Sequence, residues 1–129
     1  SSRWRKPKEL LKTLVRVDTE KPAAAGIVVG SQGDTAWVTK PDVGNPHTFI
    51  IGSTRSGKSR RVIMPSIWTI GNALQSMILS DPKGELFQHT SAWLRQKGYD
   101  VILIDLLRPS RGNRWNPLDV IVRALKGRR

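Results

Sequence analysis

The residues best suited to chemistry in this sequence are Gly52-Ser53-Thr54-Arg55-Ser56-Gly57-Lys58-Ser59. They fit G-x-x-x-x-G-K-[ST] at every fixed position, directly after the apolar run Phe49-Ile50-Ile51 and directly before a helical pattern. At average composition those fixed positions match by accident in roughly one chain of this length in a few hundred, and the strand-before, helix-after context lowers the odds further. The spacing suits phosphate. Glycines let the backbone curl so that successive N–H groups point inward, and the following helix adds the positive end of its dipole. Lys58 is then placed to bridge β- and γ-phosphates as a point charge, and the Ser59 hydroxyl to ligate Mg²⁺. Arg60 extends the expected nucleotide-binding set by one residue. Arg55 either touches phosphate or a neighbouring subunit, or faces solvent.

Hydrolysis needs an acidic group near the magnesium shell and a group to orient water. Asp81 follows Met77-Ile78-Leu79-Ser80, and Asp105 follows Val101-Ile102-Leu103-Ile104. Both are expected at the carboxyl ends of strands, where α/β ligands bind. Asp81 suits either a place lining the site or the start of a turn at Pro82-Lys83-Gly84; for Asp105 the structural reading is preferred. No Asp-Glu pair occurs in the chain. Without cysteine, thiolate metal sites, disulfides and a catalytic thiol are excluded, and His47 and His89 stand far apart without an acidic cluster.

Alternating elements must position the loop. Parallel strands covered on both faces are expected at Thr48–Ile51, Ser76–Ser80 and Asp100–Leu107, from short apolar runs without polar alternation. Helical patterns fall near Lys58–Ile70 and Glu85–Lys97, with Gly71 and Gly98 as terminators and a kink at Pro65. The order implies right-handed βαβ crossovers and an α/β class. Ahead of it, Gly26–Gly30 and Ala36–Thr39 flank Ser31-Gln32-Gly33-Asp34 as a β-hairpin. Leu10, Leu11, Leu14 and Val15 share a face of a short basic amphipathic helix after Pro7. Asn116 is placed to cap a final helix begun by Pro117.

The chain has 129 residues, enough for one domain. Its net charge of +12 is concentrated at the ends, with +4 over residues 1–21, +2 over 22–107 and +6 over 108–129. That balance makes the centre a folded core and favours an anionic partner, nucleic acid or membrane surface. The expected organisation is a basic linker and helix over 1–22, then a partial P-loop nucleotide-binding domain over 23–129. No apolar run reaches the ~20 residues that span a bilayer, so the segment itself is expected to be soluble. Starting at Ser1 without Met, it is expected to belong to a longer protein.

Four strings together resemble a known family: the loop Gly52–Ser59, a Pro65-Ser66-Ile67 turn in the first helix, Leu79-Ser80-Asp81-Pro82-Lys83-Gly84-Glu85-Leu86, and Arg114-Trp115-Asn116-Pro117-Leu118. The chain resembles, from about Gly26 to Leu118, the start of the nucleotide-binding domain of coupling proteins of conjugative type IV secretion systems, the TraG type. The resemblance implies an incomplete RecA-like P-loop NTPase core with a parallel sheet, using ATP and Mg²⁺. It also implies a hexameric DNA-translocating ATPase at the cytoplasmic face of the bacterial inner membrane. That machine engages a relaxase and its single-stranded DNA, contacts secretion-channel components, and is anchored by transmembrane segments outside this chain. A basic stretch like Arg3–Arg16 would then lie near the membrane face. Family members carry their Asp-Glu pair downstream of the Arg-Trp-Asn-Pro-Leu string, so Asp81 is not that aspartate and is expected at the site edge.

Two other readings fit parts of the sequence. A small basic nucleic-acid-binding module with a non-hydrolytic P-loop would use the basic ends and the scattered Trp4, Trp37, Trp68, Trp93 and Trp115. A small P-loop kinase would need an acceptor pocket and an arginine-bearing lid, neither of which is identifiable.

Overall fold

The computed structural model describes residues 6–19, 22, 24–40, 47–114, 116, 118–119 and 122. It consists of two units, one through Tyr99 and one from Asp100 onward.

The larger unit begins with a single helical turn, α1 (Pro7–Leu10), in which the Lys6 N–H donates to Glu9 Oε2 at 2.9 Å. Three strands follow: β1 (Leu14–Asp18), β2 (Val28–Gln32) and β3 (Thr35–Thr39). They form an antiparallel sheet in the order β1-β3-β2. The hairpin expected around Gly33-Asp34 is present, because the polar Gly-containing turn lets β2 fold back on β3. Strand alternation then sorts the side chains. Val17, Val28, Ala36 and Val38 gather in one buried cluster, with Val15 and Ala24 packed against it. Val38 is fully buried, and a buried valine of this kind contributes about 2 kcal/mol. Arg16 and Trp37 are a cross-strand pair, and the guanidinium lies 5.4 Å from the ring centroid.

The expected basic amphipathic helix is therefore corrected. Leu14, Val15 and Val17 belong to β1, inside the stretch 1–22 anticipated as linker, and only the four residues of α1 are helical. The leucines and valines meet both periodicities, and pairing of Leu14 through Asp18 with Thr39 through Thr35 decides for the strand. Residues 1–5 lie outside the described residues.

The parallel sheet is corrected as well. Among the described residues the sheet is antiparallel, and residues 48–51, 76–80 and 100–107 are in no strand. Phe49, Ile51 and Ile78 are largely exposed. A parallel strand is held only by ladder partners and by cover on both faces, and these runs have neither.

The two long helices do form. A π-helical turn (Ser59–Ile63) runs into α2 (Met64–Asn72), and α3 spans Glu85–Gln96. Pro65 has no N–H for the Arg61 carbonyl; instead of a simple kink, the helix carries a wider turn directly before it, with the Met64 N–H donating to the Ser59 carbonyl. Gly98, at φ +92°, ends α3 as expected. Gly71 does not end α2. It is buried within the helix, and a Cβ there would lie 2.6 Å from Trp93 Cζ3, so its role is close helix approach. Trp68 and Trp93 meet edge-to-face with centroids 3.9 Å apart. The Tyr99 hydroxyl donates to the Gln75 carbonyl at 2.9 Å, beyond the end of α2, and burial pushes its pKa above the ordinary value.

Two buried hydroxyls fasten the sheet to the helix. Ser66 Oγ accepts from the Val28 N–H at 2.9 Å and donates to the Val62 carbonyl at 2.6 Å. Thr69 Oγ1 donates to the Gly26 carbonyl at 2.7 Å.

In the smaller unit, Leu103 and Asn113 exchange two hydrogen bonds, of 2.7 and 2.8 Å, and Pro109–Arg111 form a 3₁₀ turn. Asn116 Oδ1 accepts from the Leu118 N–H at 3.0 Å, which is the expected cap, while Pro117 lies outside the described residues.

Ser66→Ala leaves the buried Val28 N–H without an acceptor and is expected to destabilise the fold by about 1–3 kcal/mol. Urea unfolding followed by tryptophan fluorescence checks this, and an unchanged midpoint would show that the tether carries no stability.

Candidate functional site

The loop between Ile51 and Ser59 is shaped by its glycines and one arginine. Ser56 N–H donates to the Ser53 carbonyl at 3.2 Å, closing a turn over Thr54 and Arg55. Arg55 has φ +66° and Gly57 φ +85°, both left-handed, so the backbone reverses twice before entering the helix. A Cβ at Gly52 would stand 2.6 Å from Ser56 Oγ and 3.3 Å from Lys58 Cγ, so both side chains would have to give way. Ser53, Thr54, Arg55 and Ser56 are exposed, Gly57 and Lys58 half-buried, and Ser59 and Arg60 exposed on the first helical turn.

Lys58 folds back over the loop. Its Nζ donates to the Gly52 carbonyl at 2.5 Å and the Ser53 carbonyl at 2.9 Å. The ammonium thus sits at the mouth of the curl with two of its three N–H groups on backbone oxygens. This loop fits the phosphate end of a nucleotide: a curl leading directly into a helix, a lysine over its mouth and a hydroxyl at the helix start. Residues Gly52 through Ser59 and Arg60 are therefore brought together.

A groove of about 960 Å³ adjoins the loop, lined on one side by Ser56, Gly57, Arg60 and Arg61 and on the other by Val29, Gly30 and Ser31 of β2. It is built by the tether, because Ser66 and Thr69 fix the start of β2 beside α2. Sequence reasoning missed Arg61, the β2 wall and the two tethering hydroxyls. A signal existed: Ser66 and Thr69 are three apart, on one face of a helix otherwise apolar there.

Asp81 is not among the residues lining that groove. Its Oδ2 accepts from the Phe87 N–H at 2.9 Å and its carbonyl from the Gly84 N–H at 3.1 Å. Asp81 thus closes the turn and holds an N–H of the first turn of α3. Asp105 Oδ1 likewise accepts from the Leu107 and Arg108 N–H groups at 3.0 and 2.8 Å, a local turn within the smaller unit. Among the described residues no three His, Asp or Glu side chains gather into a metal site, and no helix is long and apolar enough to cross a membrane.

Residues 1–126 match the family described as type IV secretory system conjugative DNA transfer. The chain belongs to that family. It is similar to the conjugal transfer protein TraG of Escherichia coli, 28% identical over 134 residues, which cover 94% of this chain and 21% of TraG. A second Escherichia coli TraG is 26% identical over the same span. Protein VirD4 of Agrobacterium fabrum (strain C58) is 35% identical over 74 residues, 57% of this chain and 11% of VirD4. The chain thus spans about a fifth of the length of the TraG relatives. No solved structure matches it. The resemblance carried by the loop, the Asp-Pro-Lys-Gly-Glu string and the Arg-Trp-Asn-Pro-Leu string accordingly leads to the right family.

The capping role of Asp81 is separable from charge. Asp81→Asn is expected to keep stability within about 0.5 kcal/mol and Asp81→Ala to lose about 1 kcal/mol, since the Asn side-chain oxygen can also accept from the Phe87 N–H. Chemical denaturation of the two variants measures it; equal losses in both would point to a role for the carboxylate's charge instead.

Proposed function

We propose that this chain is the ATP-binding portion of a DNA-translocating ATPase, one that couples relaxase-bound single-stranded DNA to a type IV secretion channel during conjugative transfer. The observation that carries the reading is the Gly52–Ser59 loop with Lys58 Nζ poised on the Gly52 and Ser53 carbonyls, in a member of the conjugative DNA-transfer family. The loop would open a P-loop NTPase core in the longer protein. That protein would work as a hexamer at the cytoplasmic face of the bacterial inner membrane, held there by segments outside this chain and in contact with channel components.

Bound Mg²⁺-ATP would supply the phosphoanhydride bond whose cleavage drives movement. The residues of this chain bind and orient it. Lys58 would exchange its two backbone carbonyls for the terminal phosphates by moving its side chain alone, so little reorganisation is needed. Ser59 would hold Mg²⁺ through its hydroxyl, with Arg60 at the helix start beside it. Asp81 shapes the α3 start, accepting from the Phe87 N–H. Without an Asp-Glu pair in the chain, binding with little turnover is expected.

Calorimetric titration with Mg²⁺-ATP, with phosphate release followed in the same samples, tests the reading. Binding is expected in the wild type, weakened at least about tenfold in Lys58→Ala, with negligible turnover in both. Absence of binding by the folded wild type, together with salt-sensitive DNA binding indifferent to ATP, would favour the basic nucleic-acid module. Phosphoryl transfer to an added small acceptor would favour the kinase.

A further inference from the structure

The three-stranded sheet has a second face, away from its buried cluster. Successive side chains on a strand point to opposite sides, so with Val17, Ala36 and Val38 turned to the core, that face carries Arg16, Thr35 and Trp37, joined through the register by Gly30 and Gln32 of β2. β3 is the middle strand, so the Trp37 indole stands between one position on β1 and one on β2. Toward β1, the Arg16 guanidinium lies 5.4 Å from the ring centroid. Toward β2, the paired position is Gly30, and a Cβ built there meets nothing within 4 Å. Among the described residues the indole thus has a planar cation on one flank and open space over a glycine on the other.

Charge is graded along the same strands. The Lys40 N–H donates to the Thr13 carbonyl at 2.9 Å, which brings Lys12 and Lys40 together just beyond the β1–β3 ladder. Asp18 and Asp34 lie at the opposite end, where the Thr19 N–H donates to the Asp34 carbonyl. The net charge of +12 over the chain strengthens the pull on a polyanion. Threonine and glutamine around the ring make the face too polar to bury against lipid or an apolar protein surface. An aromatic ring with a free flank beside cations matches a single strand of nucleic acid, which offers a base to stack and phosphates to pair. A duplex keeps its base faces stacked within itself.

We propose that this face of the sheet is a contact site for single-stranded DNA, with one base stacked on Trp37 in the space over Gly30 and the neighbouring phosphates on Arg16 and toward Lys12 and Lys40. The proposal rests on the DNA-handling part of the function proposed above and gives it a place on the chain, on elements other than the Gly52–Ser59 loop. A tryptophan paired with a glycine on an open face leaves an apolar ring without cover, and a stacked base supplies it.

Fluorescence anisotropy measures binding of the full chain to a labelled oligothymidylate and to an abasic strand of the same length, which keeps the phosphates and lacks the bases. The wild type is expected to bind the oligothymidylate at least about fivefold more tightly. Trp37→Thr, a substitution suited to a strand, is expected to lose that margin while keeping affinity for the abasic strand within about twofold. Trp37→Phe is expected to keep most of the margin, and circular dichroism verifies that both variants are folded. Arg16→Gln is expected to weaken both strands and to lower the salt slope by about one. Equal affinity of the wild type for the two strands would mean binding by charge alone; it would overturn the proposal and leave the DNA-handling reading in place. A margin that survives in Trp37→Thr would put the stacking elsewhere and overturn it as well. Binding of phosphatidylglycerol vesicles but of neither strand would assign the basic face to a membrane and remove the proposal together with the DNA-handling reading. Mg²⁺-ATP binding, followed in the same samples, tests the nucleotide reading separately.

Discussion

The Ser66 hydroxyl is the point on which the larger unit turns. It accepts the N–H of Val28 at the start of β2 and donates to the Val62 carbonyl one turn back in the helix. The Val28 end of that bridge is removed from water, and an unmet N–H in such a place costs more than the bridge contributes when made. Sheet and helix are therefore bound in one arrangement, with Thr69 and Gly26 as a second fastening. The loop stands at the head of this helix and the hairpin at its flank, so the width of the groove between them follows from one serine and one threonine.

The helix itself accommodates what the site requires. Proline at 65 has no N–H for the Arg61 carbonyl, and the π-helical turn over Ser59–Ile63 lies directly before it, next to the loop. The same wide turn carries Arg60 and Arg61 along the groove. A feature that looks like a defect in the helix thus falls where groove-lining side chains are displayed.

What was legible in the sequence divides along a physical line. The loop, the hairpin and the two helices are written in local signals: fixed glycines, a polar turn between apolar runs, and a helical period closed by Gly98. β1 was not, because leucines and valines at 14–17 satisfy helix and strand alike and only β3 decides. The runs at 48–51 and 76–80 were misread for the same reason. Apolar composition states that a segment wants cover but not what covers it, and the chain holds a fifth of its TraG relatives' length. Asp81 was readable only as a choice, since an aspartate before a Pro-Lys-Gly turn can line a site or close the turn equally well; its bond from the Phe87 N–H shows it at the turn. Family membership was legible because it rests on strings, not on periodicity.

The central claim is that the Gly52–Ser59 loop cradles phosphate and is mechanically joined to the hairpin through the helix. Amide hydrogen exchange with and without Mg²⁺-ATP measures both halves at once. The account predicts slowed exchange at Gly57 through Arg60 and, through the tether, at Val28 and its neighbours in β2. Nucleotide-independent exchange across the loop, with the protein folded and nucleotide in excess, would contradict it.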